Sequence, residues 1–239
     1  MTIQQDAPAT DVDEEPEPRR SGSHTIVYVL AAVALLLFGA AAGMMLTRAA
    51  GDETAVPGMD SVDVGFCQDM GVHHLQAVTM AAIARERSTD RDVRALAFDI
   101  EGGQTAQFGM MSGWLNLWAR PAHPDGPRMA WLPDGASGHN THTSTAGSGT
   151  TALMPGMATT DEITRLRSLS GAEFDVYFLQ LMVRHHQGGL PMARYTADHA
   201  GVAVVRNLAA KIVRAQTHDN NVMTKMLTDR GAQPLPAPN

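Results

Sequence analysis

The chain has a single cysteine, Cys67, among its 239 residues. No intramolecular disulfide can form, and zinc sites built from several cysteines are excluded. Aromatic residues make up only 5% of the sequence. No segment alternates polar and apolar residues as a half-buried strand would. The net charge is -7, with Asp6, Asp11, Asp13, Glu14, Glu15 and Glu17 set against Arg19 and Arg20 at the N-terminus. No basic stripe is left to meet nucleic acid. There is no nucleophile–base pair, phosphate loop or dinucleotide motif. No catalytic residue is assigned, and the chain is expected not to be an enzyme. Glu-x-x-His, the pair from which ferritin-type di-iron centres are built, is missing as well, which argues against an oxidase.

Two features stand out against these absences. One is an uncharged apolar run, Thr25 to Thr47. At ~1.5 Å per helical residue it can cross a hydrocarbon core of ~30 Å. Arg19 and Arg20 precede it and Arg48 follows. That bias puts the N-terminus in the cytoplasm and the rest of the chain outside the cell membrane. A cleaved signal peptide is the competing reading, since small residues follow the run. The preceding tail, however, is long and acidic for a signal peptide. Residues 1–24 read as a disordered cytoplasmic tail, 25–47 as a single-pass anchor and 48–60 as a linker.

The other feature is methionine, at 15 residues, and its place in an internal repeat. From Asp63/Asp175 to Leu115/Leu227 the sequence matches itself at an offset of 112 residues without a gap. Eighteen of those fifty-three pairs are identical, and they include two adjacent histidines, methionines and a glutamine in each copy. Each copy has helical periodicity with a turn in the middle. The expected architecture is all-α: two duplicated hairpins, 61–120 and 159–230, packed as a four-helix bundle. The second is prefaced by a short helix capped near Thr159 or Thr160. Between them, residues 121–158 break all periodicity and read as a flexible connection rich in Pro, Gly and His. Residues 231–239 read as a disordered tail.

At ~100° per residue, the first helix of each hairpin carries its chemistry on its apolar face. Met70, His73, His74 and Met80 lie there in the first copy, and Met182, His185, His186 and Met192 in the second. Imidazole nitrogen with thioether sulfur suits a soft or borderline ion, copper and especially Cu(I), rather than Mg²⁺ or Ca²⁺. The competing explanation is a core of satisfied histidines with methionine as gap filler. Gln104 and Gln216, on the core stripes of the partner helices, suit a supporting role for a histidine or a tie between helices. Met111, Met223 and Asp219 face the same way; Met111 and Met223 suit plain core better than a role as third ligands. Cys67 reads as a small buried hydrophobe, and its counterpart is Leu179. His123, His139, His142, Met154 and Met157 read as part of a solvated connection. Pro191 stands in the second copy where Thr79 stands in the first, and it is expected to kink its helix.

The doubled Phe-x-x-x-Met-x-x-His-His pattern, GAEFDVYFLQLMVRHHQGG and the later Gln…Met pairs resemble the bacterial "domain of unknown function 305" family. The resemblance spans about Val56 to Arg230. It implies a ferritin-like helical bundle, exported or membrane-anchored, with Cu(I) or Cu(II) held by Met70, His73, His74, Met80, Met182, His185, His186 and Met192. A second copy of the chain or a copper-handling protein is the partner such a role would have. The sequence departs from the family at Gln107 and Asp219, where glutamate is common, and at Gly189-Leu190-Pro191. Equivalence of the two halves is therefore not expected. The alternative is a membrane-tethered interaction module whose His/Gln core is purely structural.

Overall fold

The computed structural model describes residues 23–51, 56–133 and 153–236. It comprises two units, Met1–Thr54 and Ala55–Asn239. In the first unit, α1 spans Ser23–Gly51. It is long and apolar enough to cross a membrane, and no residue from His24 to Met45 is buried.

The second unit contains α2 (Val62–Arg87), α3 (Arg91–Leu117), α4 (Thr160–Ser168), α5 (Gly171–His199) and α6 (Ala203–Asp229), and no strand occurs among the described residues. The helix starts follow local capping chemistry. Ser61 Oγ accepts from Val64 N at 3.3 Å ahead of α2. Asp90 accepts from the Asp92 and Val93 amides ahead of α3. Thr159 and Glu162 close a reciprocal capping box on α4. The start of α6 has no side-chain cap from its own Ncap residue. Asp63, at the start of α2, accepts instead from Gly201 N and Val202 N at 2.9 and 2.8 Å. Its repeat partner Asp175 accepts from Ser88 Oγ at 2.6 Å, in the turn of the first hairpin. Each hairpin thus stitches the turn of the other.

α2 packs on α3, α5 packs on α6, and the hairpins meet chiefly through α2 and α5. The apolar core falls into two clusters. Along α2, one cluster ends at Met70 and the other begins at Ala77. Along α5 the order is reversed, ending at Val183 and resuming at Met192. Both helices therefore carry their histidine pair in the gap between the clusters, and they run antiparallel about a pseudo-twofold axis. α5 continues through Pro191 without interruption.

The repeat extends further in space than in sequence identity. Gln68 Nε2 donates to Pro121 O at 2.9 Å, and Gln180 Nε2 donates to Gln233 O at 2.7 Å. Pro121 and Gln233 are themselves 112 residues apart. Two expectations about connections change as a result. The tail expected to be disordered is packed as far as it is described, with Ala232 and Leu235 against the core. The connection expected to be flexible over 121–158 is packed at both ends, 121–133 and 153–158, while its middle, with His139 and His142, lies outside the described residues. In the linker, Pro57 O accepts from the Arg120 guanidinium at 2.8 and 3.0 Å. Most of the expected tail 1–24 lies outside the described residues.

Candidate metal centre

His73, His74, His185 and His186 have no exposed surface. They occupy the crossing of α2 and α5. His73 and His185 stack with ring centroids 3.8 Å apart and planes at 35°. The His185 and His186 centroids are 6.2 Å apart. One nitrogen of each of three rings is held by the protein. His73 Nε2 donates to Pro155 O at 3.2 Å. His74 Nε2 donates to Gln107 Oε1 at 2.6 Å. Gln104 Nε2 donates to His186 Nε2 at 2.9 Å. Gln104, from the first hairpin, thus orients a histidine of the second.

The other ring nitrogens are unpaired. His73 Nδ1, His74 Nδ1, His186 Nδ1 and both nitrogens of His185 are buried without a hydrogen-bond partner. Buried polar atoms are normally paired. Burial pushes all four imidazoles toward the neutral form that ligates metals. His73 falls to about 4, and His74 and His186 to about 3. His185 is lowered well below the usual range by burial and then by the three neighbouring imidazoles.

Methionine brackets these rings from both ends. Met70, Met111 and Met192 share one apolar cluster; Met80, Met182 and Met223 share the other. Each trio combines side chains from both hairpins, so the thioethers are not sorted one copy per cluster. All six are fully buried. Met154 joins the first cluster from the connection, with 3% of its surface exposed; it does not belong to a solvated loop. Cys67 is buried in the same cluster, and burial pushes its thiol up. His123 is exposed.

The two halves differ in what surrounds their rings. Gln216 is buried with neither amide atom paired. A Cβ on Gly189 would lie 3.0 Å from Gln216 Oε1 and 3.1 Å from His73 Cε1, so glycine is what lets both approach α5. Asp219 Oδ2 stands 4.0 Å from His186 Nδ1, with the side chain 25% exposed. Burial raises the Asp219 carboxyl to about 6. Its repeat counterpart, Gln107, hydrogen-bonds His74 directly.

A strap, residues 153–159, covers the α2–α5 crossing. Besides the Pro155–His73 bond, Gln76 clamps Ala158 through Oε1 to its amide at 2.6 Å and Nε2 to its carbonyl at 2.8 Å. Gly156 has φ of 79° and rests on Gly188. Arg184 makes two bonds to Glu162, at 2.8 and 2.6 Å. Gln76 and Gly188 were not picked out as a pair from sequence. They are repeat counterparts that differ, and that mismatch is the signal of a one-sided attachment.

Among the described residues, no three His, Cys, Asp or Glu side chains come together as a formed metal site. The donors gathered here are imidazoles bracketed by thioethers within an all-α bundle of two fused hairpins. The chain belongs to the DUF305 family, a domain of unknown function, which its residues 63–227 match. It is 41% identical to a DUF305 protein from Streptomyces coelicolor named as secreted, covering 74% of this chain and 99% of that one with a TM-score of 0.65. A DUF305 fragment from Deinococcus radiodurans is 32% identical, covering 70% and 96% with a TM-score of 0.55. CopM in its Cu(I)-bound form shares the fold at 20% identity, covering 70% and 96% with a TM-score of 0.51. None of the curated proteins matches the chain.

Proposed function

We propose that this chain is a membrane-anchored, extracytoplasmic copper-binding protein that acts by holding the ion rather than by catalysis. The observation that carries the reading is the set of buried, partnerless imidazole nitrogens at the crossing of α2 and α5. Leaving a buried polar atom unpaired costs roughly 1–3 kcal/mol, and a coordinated ion would remove that cost. Pro155 and Gln107 each accept the Nε2–H of a ring and leave its Nδ1 free, which is how metal-ligating histidines are oriented; Gln104 holds the Nε2 edge of His186 and could do the same with its amide turned. The methionines bracketing them supply the sulfur that a soft ion prefers. The likeness to CopM in its Cu(I)- and Cu(II)-bound forms adds support at the level of fold. The apolar α1, the arginines before it and the relative named as secreted support an anchor with the bundle outside.

One observation favours a second reading, a purely structural His/Gln core. His73, His74 and His186 already make protein hydrogen bonds. One experiment separates the two. The full-length chain in detergent is titrated with Cu(I) under reducing conditions, beside a variant with His73, His74, His185 and His186 changed to Ala. Far-UV circular dichroism checks the fold of both. Tight uptake by the wild type alone is expected, and equal weak uptake by both would sink the metal reading.

A further inference from the structure

The repeat gives each histidine a counterpart in the other half, so a chemical difference beside one of them is informative. In the first half the residue facing His74 is neutral Gln107, in direct hydrogen bond at 2.6 Å. In the second half that position is Asp219, whose Oδ2 stands 4.0 Å from His186 Nδ1. That separation is too long for a hydrogen bond. It equals the reach of two metal–ligand bonds of ~2 Å laid end to end. His186 Nδ1 is fully buried and has no other partner. The Asp219 side chain is only 25% exposed, so it lies on the inner side of its helix rather than in open solvent.

We infer that Asp219 is a specificity-determining ligand, which makes the His186 end of the centre able to take Cu(II) while the His74 end takes only Cu(I). The inference rests on the copper-binding reading and deepens it. A carboxylate oxygen beside imidazole gives the N,O donor set that Cu(II) prefers, whereas imidazole with thioether suits Cu(I). The carboxylate also supplies a negative charge against the second positive charge of Cu(II), which an amide cannot do. Use of His186 Nδ1 requires the ring proton on Nε2. Gln104 provides for this, because its Oε1 is buried without a partner. A half-turn of the Gln104 amide brings that oxygen to accept from His186 Nε2–H.

The test uses the full-length chain in detergent, with Cu(II) and, separately, Cu(I) as probes, read by competition with a chromophoric chelator and by electron paramagnetic resonance. Asp219→Asn is expected to weaken Cu(II) binding by about tenfold or more and to leave Cu(I) binding within about twofold of wild type. Thermal melts of the metal-free proteins establish that each variant folds. If Asp219→Asn does not fold, Asp219→Ala takes its place with the same expectation. Unchanged Cu(II) affinity in Asp219→Asn, or parallel loss of both ions, would each overturn the inference. A wild type that binds Cu(I) but not Cu(II) would overturn it and leave the copper reading standing. A wild type that binds neither would remove both.

Discussion

His73 and His185, the same residue in the two repeats, stack at 3.8 Å across the boundary between hairpins. Nitrogen lone pairs lie in the ring plane, so rings tilted by only 35° point theirs side by side rather than at each other. The stack is therefore a neutral partition at the pseudo-twofold axis, with donors on its edges. Protonating both rings would set like charges face to face in a buried site.

Acid should destabilise the metal-free fold well above the range in which carboxylates titrate. The four buried imidazoles have folded-state values lowered from 6.5, to about 4 for His73 and about 3 for His74 and His186. A group depressed in this way is protonated first in the unfolded chain. Its stabilising contribution is complete above pH 6.5 and drains away as pH falls toward 4. Asp219 works in the opposite sense: raised from 3.8 to about 6, it takes up its proton in the folded state first. It offsets roughly one of the four histidines between those values. Unfolding near pH 5 should then take up on the order of three protons, so stability falls by about 4 kcal/mol per pH unit there. Urea melts from pH 8 to 4.5 measure this, and a flat profile between pH 7 and 5 would contradict the burial described.

The reciprocal aspartates should hold the hairpins together. Asp63→Ala leaves the Gly201 and Val202 amides without their acceptor and should cost about 1–2 kcal/mol. Asp175→Ala leaves only the Ser88 hydroxyl and should cost about 1 kcal/mol. A double-mutant cycle of Ser88→Ala with Asp175→Ala should return a coupling of about 0.5–1.5 kcal/mol in chemical denaturation. Zero coupling would mean that this bond does not join the hairpins.

Asp69 should fix the segment after α3. Its carboxylate is 1% exposed and accepts from Met129 N at 2.7 Å and Trp131 Nε1 at 2.9 Å, with Arg128 at 3.5 Å. The Trp131 side chain meanwhile covers Gly65 and meets Phe66 edge-on, with centroids 6.1 Å apart. Asp69→Ala should cost about 2–3 kcal/mol. It should also move the Trp131 indole N–H resonance toward that of a solvated indole, while the Trp114 and Trp118 signals stay in place. An unmoved Trp131 resonance would show that apolar packing alone seats the ring.

Much of this was readable because it is local. Asp90 and Thr159 announce helix starts through residues two or three positions on, and the 112-residue offset announces the hairpins. Met70, Met80, Met111, Met182, Met192 and Met223 lie on buried faces, as helical spacing indicates, whereas Met154 in the connection gave no such signal. Which of them share a cluster depends on the antiparallel crossing of α2 and α5, which spacing along one helix does not contain. The connection misled for the same reason. Its Pro and Gly residues read as chain breakers, but Gln76 holds Ala158 across 82 residues of sequence, and Gly188 seats Gly156 from another helix. Asp219 was visible as a mismatch with Gln107, and only the distance to His186 gave that mismatch a direction.

Two glycines of this chain should respond oppositely to the same substitution, and the contrast tests the strap. Gly188 lies within α5, so alanine suits its backbone. Its added Cβ, however, would lie 2.0 Å from Pro155 O and 2.7 Å from Gly156 N. The obstacle is backbone, which cannot turn aside as a side chain can. Gly188→Ala should therefore push the strap off the α2–α5 crossing, break the His73–Pro155 bond and cost about 1–3 kcal/mol. Gly102 lies exposed on α3 with nothing within 4 Å of its added Cβ. Gly102→Ala should stabilise by about 0.5–1 kcal/mol, the ordinary helix-propensity gain. Hydrogen exchange adds the local readout: the Ala158 amide, bonded to Gln76, should lose protection in Gly188→Ala and in Gln76→Ala but keep it in Gly102→Ala. If Gly188→Ala keeps both its stability and that protection, the strap does not bear on the crossing, and the His73 ring must be held by its neighbours on α5 alone.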